Sequence, residues 1–173
     1  MSHTVTVDIK IKNMDALAKA AIDAGCTIKG EGTHRLFSSN HIGLAIQIPG
    51  WSYPIVVSSN GDVHYDNYSG HWGNKVDLDK LLDGYAQTVV EMECDSLGWY
   101  HEKNEETQEL IVHHPSGGTI TVQKGGRLDA QGFHGTSCAE ATLKLEQAMG
   151  QRLGESLKPE MNEVQLTQQE LAE

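Results

Sequence analysis

The hydrophobic period of this chain switches repeatedly between two and about 3.6, the repeats of a half-buried strand and of an amphipathic helix. Residues 4–11 alternate: Val5, Val7, Ile9 and Ile11 are apolar, with Thr6, Asp8 and Lys10 between them. Met14, Leu17, Ala18, Ala21 and Ile22 then recur at helical spacing behind Asn13, whose side chain can cap the first turn. Gly25 suits the left-handed residue that ends such a helix. Strand-like segments follow at 26–29, 34–37, 42–48 and 54–58, with turn signals at Pro49-Gly50 and Asn60-Gly61-Asp62. The Asn-Gly pair between Ile55-Val56-Val57 and Val63-His64-Tyr65 predicts a hairpin, with a loop longer than two residues.

The longest helix is predicted from Asp77 to about Leu97, with a stripe of Leu78, Leu81, Leu82, Tyr85, Ala86, Val89 and Met92. A strand from Trp99 is answered by Leu110-Ile111-Val112. Pro115-Ser116-Gly117-Gly118 then reads as a boundary. Beyond it come strands at 119–123 and 127–131 around a Gly125-Gly126 turn, and a helix from Cys138 to Met149 with Gly150 behind it. The order predicts an α+β fold: a mostly antiparallel sheet with helices on one face, plus a small β-hairpin/helix module. The expected units are an N-terminal module at 1–114 and a ββα module at 118–150. Residues 151–173 lack a sustained apolar face and read as a flexible tail with a short helix at 165–172.

With 173 residues the chain can bury a core without disulfides or a structural metal. Its formal charge of −11 argues against binding nucleic acid through a broad basic surface and against docking on anionic membranes. Acidic residues are densest between Glu91 and Glu109, and 1–114 carries 16 acidic and 8 basic residues. The three cysteines, Cys26, Cys94 and Cys138, are sparse and form no CxxC pair, which suits a reducing compartment. No apolar signal-peptide core or membrane-length run occurs, so the expected location is a cytoplasm, a plastid stroma or, for a viral product, the host cytoplasm.

Two segments could carry chemistry. Tyr65, Asp66, Asn67, Tyr68, His71 and Trp72 lie in a loop too rich in Gly, Asn and Asp for a strand yet unusually aromatic. Rigid rings with a few amides and carboxylates are what protein and small-molecule sites use, although the same rings could simply cover a sheet end. Phe133, His134, Gly135, Thr136, Ser137 and Cys138 lie between a strand and a helix, with Ser137 and Glu140 spaced as a capping box. Free N–H groups at that helix start could hold an anion such as a nucleotide phosphate, and would lower the pKa of a thiol at Cys138. A plain tight turn explains the same residues. The nine histidines form no local metal motif, and there is no GxSxG elbow. No catalytic residue, metal ligand set or cofactor is therefore assigned.

The first module resembles a family of uncharacterised proteins that includes a conserved reading frame of plastids and cyanobacteria, with bacterial and phage relatives. The likeness rests on Met1-Ser2-His3, Asp15-Ala16-Leu17, Gly25, Pro54-Ile55-Val56-Val57, Asn60-Gly61, Tyr65…Gly70-x-Trp72-Gly73, Leu81, Tyr85-Ala86 and Leu97-Gly98. The second is similar to another small uncharacterised domain through Gly132-Phe133-x-Gly135-x-Ser137-Cys138, Ala141, Leu145-Glu146 and Gly150. The resemblance implies two modules usually encoded side by side, often near an AAA-type ATPase, here fused so that they touch. The leading expectation is a non-enzymatic accessory protein that binds a partner protein, such as that ATPase, through the 65–73 and 132–138 loops. Sequestering a small anionic ligand, or thiol chemistry at Cys138, are the alternatives; oligomeric state is left open.

Overall fold

A computed structural model of the chain describes residues 3–134 and 137–157. Over these residues it is an α+β fold with two antiparallel sheets, of six and four strands, and three α-helices. The chain divides into two compact units, Ile9–Val89 and a discontinuous one formed by Met1–Asp8 with Val90–Glu173.

The unit Ile9–Val89 begins with helix α1, Met14–Asp23. The Asn13 side chain accepts a hydrogen bond from the Ala16 N–H at 3.1 Å, the cap its sequence predicts. Strands β2 (Thr27–Arg35), β3 (Asn40–Gln47), β4 (Ile55–Val57) and β5 (Val63–His64) follow and pair antiparallel in that order. The segments expected at 26–29 and 34–37 are joined in one strand that ends at Arg35, with an irregularity in pairing between Ile28 and Gly30. Gly30 and Gly32, both at positive φ, hide that continuity from a pattern that counts apolar residues. The β4–β5 hairpin has the longer loop expected of it. The core takes Ala16, Leu17, Ala20 and Ala21 from α1, Ala45, Ile46, Ile55, Val56 and Val57 from the sheet, and Leu78, Leu81, Tyr85 and Ala86 from the helix α2 (Lys75–Leu97). Each full burial of a large apolar side chain contributes about 1.5–3 kcal/mol. Ile22, expected on the apolar stripe of α1, is exposed. The buried Tyr85 hydroxyl accepts from the N–H groups of Lys12 at 2.9 Å and Asn13 at 3.2 Å, so it ties α2 to the segment that starts α1.

In the second unit, strands β1 (His3–Ile9), β6 (Tyr100–Lys103), β7 (Leu110–His113), β8 (Thr119–Gln123), β9 (Arg127–Gln131) and β10 (Gly150–Leu157) form one sheet in the order β10-β1-β9-β8-β7-β6. The first strand of the chain thus pairs with β9, 125 residues on, through Thr4 and Asp129. Helix α3, Ser137–Met149, buries Ala141, Leu145 and Met149. Pro115–Gly118 proves to be a hairpin turn: His114 donates its N–H to the Gly118 carbonyl at 2.9 Å, and Leu110 to His113 face Val122 to Thr119. A Pro-Ser-Gly-Gly cluster reads alike as linker and as turn, so the division by compactness differs from the 1–114 and 118–150 modules expected above. The segment from 151 to 157, expected as tail, continues strand β10; the helix expected at 165–172 lies outside the described residues.

Candidate functional site

In the unit Ile9–Val89 the β2–β3 turn and the chain after β5 enclose a cleft of about 260 Å³. It is lined by Leu36, Ser38, Ser39, His41, Val63, His64, Tyr65 and Asp66. The turn is closed by the Leu36 N–H, which donates to the Ser39 carbonyl at 2.8 Å. His41 from β3 and His64 from β5 stack with centroids 4.2 Å apart and planes 13° from parallel. Ser39 Oγ lies 2.9 Å from His41 Nε2, which orients that ring. Among the described residues, no group hydrogen-bonds the Asp66 carboxylate, the Tyr65 hydroxyl or the His64 nitrogens.

Beside the cleft the aromatic loop folds over itself. The Asn67 carbonyl accepts from the N–H groups of Gly70 and Trp72 at 3.0 and 2.9 Å. This forces Tyr68 (φ 45°) and Ser69 (φ 52°) into the left-handed region, a conformation that costs a non-glycine residue about 1–3 kcal/mol. Tyr68 stacks on Trp72 at 4.8 Å and 26°, while Phe37 and Tyr53 meet the same indole at 4.8 and 5.5 Å. Tyr68 remains 59% and Phe37 55% exposed. His71 is exposed, with Nδ1 2.9 Å from the Tyr68 carbonyl oxygen. The anchor beneath is Trp51, which meets Tyr65 edge-on at 6.1 Å and donates to Asp77 at 3.4 Å. Gly73 lies flat on that indole; a Cβ there would sit 2.2 Å from it. The structure therefore brings Tyr65 to Trp72 together and adds Phe37, Tyr53, His41 and His64. His64 directly precedes the loop, but Tyr53, His41 and Phe37 lie 12, 24 and 28 residues before Tyr65, and no local pattern links them to it.

The second segment behaves differently. Phe133 is 1% exposed, with its ring against Gly118 and 5.3 Å from His114, so its side chain packs in the core. An aromatic after a strand end carries no signal of which way it points. His134 is exposed. Gly135 and Thr136 lie outside the described residues; Ser137 and Cys138 open α3, and their side chains are likewise outside the description. The anion-site and reactive-thiol expectations fall on these residues.

The other thiols are poor nucleophiles. Cys94 is buried and pushed up to about 11, first by burial and then by Asp95, Glu93 and Glu91. Burial, with help from Asp77, also raises Cys26. Among the described residues no group of three or more His, Cys, Asp or Glu side chains converges as a metal site, and no helix is long and apolar enough to cross a membrane.

The class that these features define is an α+β protein with an exposed ring cluster beside a small polar cleft. Residues 119–162 match a family described as "Protein of unknown function (DUF2997)". The match takes in β8, β9, α3 and β10, covers 44 of the 173 residues, and runs past the end at 150 expected for the second module. The comparison with curated proteins finds no match.

Proposed function

We propose that this protein is a binding module that recognises a partner protein through the ring platform of Phe37, Tyr53, Tyr68 and Trp72. One observation carries the reading. Two consecutive non-glycine residues, Tyr68 and Ser69, are held at positive φ, and the result is to keep the Tyr68 ring exposed and stacked on Trp72. Strain of this kind persists where the surroundings enforce it, typically at ligand clamps. Rigid aromatic anchors supply contact area at low conformational cost and dominate interface energies. Under this reading the chain is a cytoplasmic fusion of the two uncharacterised modules its residues resemble, and an AAA-type ATPase is the first partner to assay. Phe133 takes no part.

The test is site-specific photocrosslinking in cells with p-benzoylphenylalanine in place of Phe37. A discrete stoichiometric adduct is expected, reduced about tenfold or more when Tyr68→Ala is added, as for a central interface ring. Absence of an adduct, or one indifferent to Tyr68→Ala, overturns the reading.

A further inference from the structure

The cleft beside the platform has a chemistry of its own. At about 260 Å³ it is below the ~300–1,000 Å³ of sites built for whole small molecules, and nearer to the size of one inserted side chain. It is open at the surface where the ring platform begins, since Tyr65 and Asp66 line the cleft and Asn67 and Tyr68 continue the same loop. Its lining holds one carboxylate, Asp66, and no lysine or arginine. Asp66 has no hydrogen-bonding or ion-pair partner among the described residues, whereas other carboxylates of the unit do: Asp62 pairs with Lys10 at 3.2 Å and Asp79 with Lys75 at 3.2 Å. The remaining polar groups are hydroxyls and imidazoles, which can accept as well as donate hydrogen bonds. Three rings, His41, His64 and Tyr65, form its walls.

A ring-walled cleft whose one charged side chain is an unpaired carboxylate favours a planar cation. A guanidinium has five donors and no acceptor, matches a carboxylate as a two-pronged fork, and stacks on aromatic and imidazole faces. Attraction between a cation and a ring face adds about 0.5–2 kcal/mol when the site is partly desolvated. The unit around the cleft is almost neutral, with 7 basic and 8 acidic residues, so the preference is local to Asp66. From this geometry we infer that the Leu36–His41 turn and the His64–Asp66 segment form a socket for an arginine side chain of the partner protein. The inference rests on the proposed reading of the adjoining loop as a protein-binding surface. It narrows that partner to one with an exposed arginine set beside an apolar or aromatic contact.

The test uses the full chain, with ring signals of His41, His64 and Tyr65 followed by NMR at pH 7.5. Probes are N-acetyl-arginine methylamide, the lysine and glutamine analogues, and inorganic phosphate. The arginine probe is expected to shift these signals saturably, with a dissociation constant on the order of millimolar, as for one isolated side chain. The lysine analogue should bind at least threefold more weakly, and the glutamine analogue and phosphate not at all. Asp66→Asn should weaken the arginine probe tenfold or more; Asp23→Asn, at an exposed carboxylate of α1 outside both the cleft and the platform, should leave it unchanged. No saturable shift, equal binding by the lysine analogue, phosphate binding in its place, or indifference to Asp66→Asn would each overturn the socket. The two readings fail separately. Loss of the socket with a Tyr68-dependent crosslink intact leaves the platform standing. A working socket with no Tyr68-dependent crosslink removes the platform.

Discussion

At the scale of single residues, burial sets what each titratable group can do. His114 sits between the Trp99 and Phe133 rings, with centroids 4.7 and 5.3 Å away, and contacts Ser116 Oγ at 2.7 Å. Burial, and secondarily the Lys144 charge, lowers its pKa from the ordinary 6.5. The folded form therefore resists protonation more than the unfolded chain does. The stability this confers is fully present above pH 6.5 and is lost as pH falls from there through the lower folded value. Compared with His114→Gln in urea titrations, the native chain should lose part of its advantage between pH 7.5 and pH 5. A gap constant with pH would refute the assignment. The identity of such residues is visible in a sequence, but their surroundings are not. Tyr65 and Asp66 stand out by composition, whereas His41 and His64, 23 residues apart, become a stacked pair only when β3 and β5 enter one sheet.

At the scale of elements, the junction from α3 into β10 depends on one ion pair. Glu146 is 3% exposed and receives two bonds from Arg152, Nε to Oε1 at 2.6 Å and Nη2 to Oε2 at 2.9 Å. Removing the guanidinium strands a buried carboxylate. Arg152→Met should lower unfolding free energy by about 1.5–3 kcal/mol, read from the urea midpoint, and adding Glu146→Met should restore much of it. No recovery in the double variant would show that Arg152 acts otherwise. Helices and strands were largely legible from periodicity, because a core-facing stripe repeats at the element's own period. Their edges were less so. Ile22 continues the helical spacing of α1 but is exposed, since the buried stripe is Ala16, Leu17, Ala20 and Ala21. Arg152 and its neighbours have no apolar stripe, yet they form a strand at the sheet edge beside β1.

At the scale of the whole molecule, the chain leaves one compact unit after its first strand and returns to it within α2. Acidity follows this division: the returning unit carries 16 acidic and 6 basic residues, the intervening one 8 and 7. Ending the chain at His114 removes β8, β9 and β10, which leaves β1 without a partner and β6–β7 as a lone hairpin, marginal in water. Hydrogen exchange on that truncated chain should show protected amides in β2–β4 and none in β1, β6 and β7. Protection of β1 there would mean that residues 1–114 form a self-sufficient module after all.

The amino-acid sequence by itself determined the α+β class, the Asn13 cap, the β4–β5 hairpin and the Tyr65–Trp72 loop as a candidate site, because capping, period and turn chemistry act over a few residues. Only tertiary structure decided that His3–Ile9 pairs with Arg127–Gln131, that Pro115–Gly118 is a turn, that Phe133 is core, that Phe37 and Tyr53 join the loop, and that His41 stacks on His64. Those outcomes depend on which apolar faces find each other across long separations, and the same local pattern is compatible with several such pairings.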